Sequence, residues 1–251
     1  NRGLGAERQT ALRHATGDFI LHVDSDDYLT LDAVERLTKA QQTSGADIVS
    51  GAFLYQYPDG DATIETCLSG LSRQKMLRLF LAQNTIPYNI WGRLIRRSLY
   101  TDYGIDAVEG INYAEDYALT SRLLFVARHT CNIDEAVSVY RLATDTGTFH
   151  QMHRQHAVSL LKANEVVWQF FHANDKNGEY GYALELGMLN TMQRVLAAGL
   201  TKREIREYLH YRPQRLLFRL CHLCLAHKPV HRLLRFTYLT LKWLYRKTLK
   251  N

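Results

Sequence analysis

Apolar and polar positions along the chain repeat with a period near 3.6 in some stretches and run together in others, and the switches mark the elements. Leu4, Ala11, Leu12 and Ala15 share one face of a helix opened by Gly3 and Gly5, and Gly17 is placed to end it. Asp18-Phe-Ile-Leu-His-Val23 then reads as a short buried strand. Beyond it, Thr30 or Asp32 can cap a second helix carrying Ala33, Val34 and Leu37 that stops near Gly45, and Ala46-Asp-Ile-Val-Ser50 reads as a second strand. This alternation predicts an α/β layer with a mostly parallel sheet flanked by helices.

Further along, Tyr55, Tyr57 and Pro58-Asp59-Gly60 mark a hairpin or loop turn, and a helix is expected around residues 72–83. Glu115-Asp116 open a helix whose apolar positions are Leu119, Leu123, Val126 and Ala127. From His150 onward helical patterning dominates, with breaks at residues 174–181, near Gly199, and at Pro213 and Pro229. The expected organisation is an α/β domain over residues 1–150 followed by a helical C-terminal region over residues 151–251. No internal repeat or low-complexity segment is evident.

At 251 residues and 46% hydrophobic, the chain can bury one sizeable core and a smaller helical unit. Its charge is uneven: residues 208–251 hold ten Lys or Arg and no Asp or Glu, whereas residues 1–207 hold 21 basic and 25 acidic residues. Such a block of one sign implies an anionic partner. The tail interleaves its bases with Leu, Phe, Trp and Tyr, which suits an amphipathic helix over residues 230–251 lying on an anionic membrane surface better than a nucleic-acid-binding arm. A terminal helix packed on the body with its bases in water fits the same pattern. Four cysteines, Cys67, Cys131, Cys221 and Cys224, are too scattered for a disulfide framework, so the expected setting is cytoplasmic, peripheral on the inner face of the cell membrane. Cys221, Cys224, His227 and His231 superficially resemble zinc ligands, but the two cysteines lie one helical turn apart in a leucine-rich run, where a core face explains them.

The chemistry concentrates after the first strand, which ends in Asp24, Asp26 and Asp27. Carboxylates at a strand's carboxyl end stand where α/β sheets bind ligands, and hard cations such as Mg²⁺ or Mn²⁺ take oxygen ligands while sharing substrate phosphates. A polar turn with Asp32 as helix cap is the plainer reading; crowded like charges that a cation would relieve weigh against it. Glu115 and Asp116 have their own plain reading, compensation of a helix macrodipole, beside a catalytic one, removal of a proton from an attacking hydroxyl.

Asn1-Arg-Gly-Leu-Gly-Ala-Glu-Arg8, Ala15-Thr-Gly-Asp-Phe-Ile20 and Val23-Asp-Ser-Asp-Asp-Tyr-Leu29 together resemble family 2 glycosyltransferases of the GT-A fold, especially bacterial enzymes of surface-polysaccharide synthesis. Trp91-Gly-Arg-Leu-Ile-Arg-Arg-Ser-Leu99, Glu115-Asp116-Tyr117 and Tyr140-Arg141 agree in order with later motifs of that family, so the likeness covers about residues 1–145. The resemblance implies a Rossmann-like GT-A sheet and an inverting hexosyltransferase that moves a sugar from a nucleoside-diphosphate donor, UDP-sugars foremost, to a hydroxyl of a saccharide or lipid-linked saccharide. By the same resemblance Asp26 and Asp24 would ligate Mg²⁺ or Mn²⁺, Asp24, Asp27 and Arg8 would face the donor's ribose or diphosphate, and Asp116 would be the general base aided by Glu115. Trp91 would stack on the acceptor ring, or else fill the core. His150 or His153 would complete the metal site.

Two departures are visible: Arg93 stands where the family has Lys, and Thr144-Asp-Thr-Gly-Thr148 replaces a serine-rich stretch. Relatives also carry about two strands before the Asn-x-Gly-x-Gly segment, which predicts that this chain lacks the part reading the donor's base. Two competing readings are an Asp-x-Asp phosphatase with Asp24 as nucleophile, disfavoured by Tyr28, and a non-catalytic remnant docking through its basic tail.

Overall fold

Gly3 takes φ 84°, a left-handed value suited to glycine, and releases the chain into α1 (Leu4–His14). The computed structural model describes residues 3–60, 62–65, 70–83, 89–142 and 152–225. After α1 come β1 (Phe19–Leu21), an acidic turn, β2 (Tyr28–Leu29) and α2 (Ala33–Ser44), which Gly45 closes in left-handed conformation by donating to the Gln41 carbonyl. Asp32 occupies the N-cap of α2, but neither it nor Thr30 caps by side chain. The Asp32 carboxylate is drawn instead to Arg36 one turn on, at 2.6 Å, and the Thr30 hydroxyl donates to Asp32 and to the Ala136 carbonyl.

β3 (Ile48–Gln56) leads through a Tyr57–Gly60 turn into β4 (Ala62–Glu65), the expected hairpin. Then follow α3 (Arg73–Leu81), β5 (Arg93–Arg96), α4 (Ser98–Thr101), α5 (Glu115–Val126) and β6 (Thr130–Arg141). The described strands form one sheet in the order β1-β5-β3-β6-β2, with β4 paired to β3. The mostly parallel sheet expected from the helix and strand alternation is a mixed one: β3 and β6 pair in parallel, while β1·β5, β3·β5, β2·β6 and β3·β4 are antiparallel. The reason lies in the connections. β1, β3 and β6 run the same way, and the long connection between β3 and β6, which carries helices, is what their parallel pairing needs. The short β2, β4 and β5 slot between or beside them in the opposite sense.

The sheet's α2-side core gathers Ala33, Leu37, Ala46, Val49, Leu94 and Val137, with Phe19, Leu21 and Leu29 against it. Leu37, fully buried, contributes about 2 kcal/mol by leaving water.

The chain divides into two compact units, Asn1–Leu77 with Ile86–His150, and Arg78–Thr85 with Gln151–Asn251. The second takes in residues 78–85, from well inside the sequence-derived first domain. Its helices are α6 (Arg154–Asn174), α7 (Gly181–Ala197), α8 (Lys202–Tyr208) and α9 (Leu216–Leu225), packed around Leu160, Leu161, Val167, Phe171, Leu186 and Phe218. Within this unit Gln83 donates to Asn164 and Thr191 at 2.9 Å each and accepts from Asn190 at 3.0 Å, so the buried Asn164 and Thr191 side chains are partnered. Among the described residues no helix is long and apolar enough to cross a membrane. Residues 230–251 lie outside the described residues, as do Cys67, His150, His227 and His231.

Candidate functional site

α1 can approach the segment leading into α5 because positions 3 and 5 carry no side chain. A Cβ on Gly5 would stand 2.4 Å from the Val108 carbonyl oxygen, and one on Gly3 would stand 2.2 Å from Asn112 Oδ1. One turn further along α1, Arg8 is thereby carried into the protein, where it is 7% exposed.

There a single guanidinium gathers three carboxylates from two distant segments. Arg8 Nη2 is 3.1 Å from Asp24 Oδ1, 3.1 Å from Asp116 Oδ1 and 3.6 Å from Glu115 Oε1. Nη1 also donates to Asp24 Oδ1, at 3.2 Å. One cation cannot fully compensate three buried acids, and the proton affinities show it. Burial pushes Asp116 up to about 7, with Arg8 opposing and Glu115 reinforcing. Burial likewise raises Glu115 and Asp24, each opposed by Arg8.

Local backbone aims these groups. Ala114, the N-cap of α5, is left-handed at φ 64°, an uncommon conformation for a residue with a Cβ that costs about 1 kcal/mol. It turns the chain so that Glu115 and Asp116 form the first turn of α5, where the helix dipole favours anions. Asp116 Oδ2 accepts from the Ile90 N–H at 3.2 Å, which ties the carboxylate to the segment preceding β5.

The acidic turn is braced from the end of β6. The Asp27 N–H donates to the Asp24 carbonyl at 3.1 Å, Asp27 Oδ1 accepts from the Arg141 N–H at 3.0 Å, and Arg141 Nε donates to the Asp26 carbonyl. Burial raises the Asp27 pKa, opposed by the Arg141 N–H and reinforced by Asp26 and Asp24. Asp26 is exposed at the turn. Among the described residues no three His, Cys, Asp or Glu side chains converge as a ready-made metal cage. The donor set nevertheless fits a hard divalent cation that shares its shell with phosphate oxygens: three clustered carboxylates, two with raised pKa values, of which Asp24 already faces Arg8 and Asp26 is open to solvent.

Trp91 is half-buried, stacked on Tyr140 at 5.7 Å between ring centroids and edge-on to Phe53 at 4.9 Å. Its stacking partner adjoins Arg141, so the aromatic group and the acidic turn share a support. Arg93, by contrast, is 2% exposed and turned inward, donating to the Asn89 carbonyl at 2.8 Å and to the Ser50 hydroxyl. His153 is the N-cap of α6 in the second unit, its ring against His156. Cys221 is buried on α9.

Sequence reading passed over two participants. His22, two residues before Asp24, is held neutral, its pKa lowered to about 4 by burial and by Arg8, and its Nε2 lies 3.0 Å from the Tyr100 hydroxyl. Arg141 was seen only as the end of a motif; its bracing of the turn joins residues more than a hundred positions apart, which local pattern does not reveal.

Comparison with known proteins bears on this arrangement. Residues 1–104 match the family model described as Glycosyl transferase family 2. An uncharacterized glycosyltransferase, EpsJ, from Bacillus subtilis (strain 168) is 30% identical over 146 residues, 56% of this chain and 42% of that protein. The glycosyltransferase GlyA of Streptococcus pneumoniae is 25% identical over 154 residues, 57% of this chain and 21% of GlyA. The chain thus spans less than half the length of either relative. The crystal structure of S. aureus TarS 1-349 in complex with UDP-GlcNAc superposes with a TM-score of 0.51 over 98% of this chain and 73% of that one, at 18% identity, a likeness of fold.

Proposed function

We propose that the protein, whose residues 1–104 match the family model described as Glycosyl transferase family 2, is an inverting enzyme transferring a sugar from a UDP-sugar to a hydroxyl of a saccharide or lipid-linked saccharide, in cell-surface polysaccharide synthesis. The observation that carries this reading is Arg8, which stands 3.1 Å from both Asp24 and Asp116 and so brings the acidic turn and the start of α5 into one site. The UDP-GlcNAc bound in TarS, whose fold this chain shares, supports a nucleotide-sugar donor.

Each residue's part follows from its place. Asp26 and Asp24 would hold Mg²⁺ or Mn²⁺, which when bound supplies Lewis-acid neutralisation of the diphosphate leaving group. Asp27 keeps the turn in shape through Arg141, and Arg8 adds fixed positive charge beside the donor's phosphates. Asp116 takes the proton from the acceptor hydroxyl. That oxygen then attacks the anomeric carbon from the face opposite the departing diphosphate, so the configuration inverts. A carboxylate poised at about 7 suits this task, because near neutral pH it is partly deprotonated yet basic enough to take a proton. Glu115 orients the acceptor, and Trp91 offers it an aromatic face. The phosphatase alternative needs Asp24 as a nucleophile, and the pairing of that carboxylate with Arg8 speaks against it.

Calorimetric titration of UDP with Mn²⁺ into the chain and into Asp26→Ala tests the donor site. Binding by the parent and its loss in the variant are expected; equal heats from the two would overturn the assignment.

A further inference from the structure

We infer that α9 and the stretch leading into it form a docking surface for an anionic lipid membrane. α9 buries Phe218 and Cys221, at 0% and 3% exposure, and turns the opposite arc outward. That arc carries Leu216, Leu217 and Leu220 at 72%, 43% and 51% exposure. At 100° per residue these three fall side by side within about a third of a turn, a contiguous apolar strip rather than scattered leucines.

Charge selects the occupant. Arg212, Arg215 and Arg219 are exposed beside the strip, and Arg206, His210 and Arg212 line a groove of about 550 Å³ at the end of α8 and the stretch leading into α9. Residues 208–251 contain ten basic and no acidic residues. Leucines seated between arginines match the boundary between acyl chains and anionic headgroups, where apolar burial and attraction to negative lipid act together. A second copy of the same surface would set these arginines against like charge. The surface lies upstream of residues 230–251 and is independent of the sugar-transfer site in the first unit.

The test is flotation of the full chain with vesicles of phosphatidylcholine alone and of phosphatidylcholine mixed with phosphatidylglycerol. The parent is expected to float with the mixed vesicles and to be released at high salt. The triple variant Leu216→Ser, Leu217→Ser, Leu220→Ser, whose changes touch only exposed positions, is expected to keep its thermal melt and lose about tenfold in partitioning. Arg212→Glu with Arg219→Glu is expected to abolish the preference for anionic over neutral vesicles. The inference is overturned if the parent does not float, if the serine variant floats as well as the parent, or if the parent forms a concentration-dependent dimer that the serine changes dissolve without any effect of lipid.

Discussion

Arg8 Nη2 and Asp116 Oδ1 lie 3.1 Å apart although 108 positions separate them in the chain, and the same nitrogen reaches Asp24 and Glu115. The contact is the geometric hinge of the first unit's site: it fixes the start of α5 against the acidic turn. It also leaves an excess of buried negative charge, since one guanidinium faces three carboxylates.

Removing Arg8 should therefore be costly and strongly dependent on pH. Arg8→Met leaves three carboxylates without their cation, so a loss of about 3–5 kcal/mol is expected at pH 8. The loss should shrink toward pH 5, where those acids take up protons. Arg8→Lys, a point charge in place of a planar fork, should recover only part. Urea unfolding at the two pH values decides it; a loss independent of pH would mean that Arg8 acts by packing alone.

Asp116 should trade stability for activity. The folded protein holds its proton to about pH 7, whereas the unfolded chain releases it near 3.8. The folded state therefore binds more protons between those values, and stability falls as pH rises through that window. Asp116→Asn removes the penalty and should be more stable than the parent by about 1–3 kcal/mol at pH 8, with little difference at pH 4. The same variant should lose sugar transfer, and the parent's kcat/KM should rise with pH to a plateau above about 7. A variant that melts like the parent at every pH, or a flat rate profile, contradicts the assignment.

Much of this site was legible residue by residue and little of it in relation. Asp24, Asp26, Asp27, Glu115 and Asp116 stand out because strand ends and helix starts are local features. Gly45 and the Tyr57–Gly60 turn were equally plain, since glycine marks left-handed backbone. β5 and β6 went unread because their residues carry no clean alternation, and β2 is too short to show any. Asp32 was misread as a side-chain cap because Arg36, one turn on, competes for its carboxylate at closer range than the backbone. Above all, no spacing announces that Arg8 will meet Asp116; that depends on two glycines packing against residues 108–112.

Those glycines give a prediction of their own. Gly5→Ala places a methyl group against the Val108 carbonyl, a backbone atom that cannot swing aside. The helix must move, at a cost of about 1–3 kcal/mol, and Arg8 must move with it. The variant should lose stability and, in addition, bind UDP with Mn²⁺ more weakly in calorimetry. Gly45→Ala, with open space around its Cβ, serves as control: it should be destabilised by its left-handed backbone alone and leave donor binding intact.

Trp91 separates two roles that its position combines. Stacked on Tyr140 and edge-on to Phe53, it holds together an aromatic group whose far end adjoins Arg141 and the acidic turn. Part of its surface is still in water, which a purely internal ring would not leave. Trp91→Phe keeps an aromatic face on Tyr140 and should cost less than about 1.5 kcal/mol, whereas Trp91→Ala should cost about 2–3 kcal/mol. If the exposed face receives the acceptor ring, Trp91→Ala should also raise the acceptor KM about tenfold while the calorimetric affinity for UDP with Mn²⁺ holds, since the stacking face lost is worth about 1–1.5 kcal/mol. Loss of stability with an unchanged acceptor KM would make the ring a packing element only, and weakened donor binding would place its influence on the acidic turn through Tyr140 and Arg141.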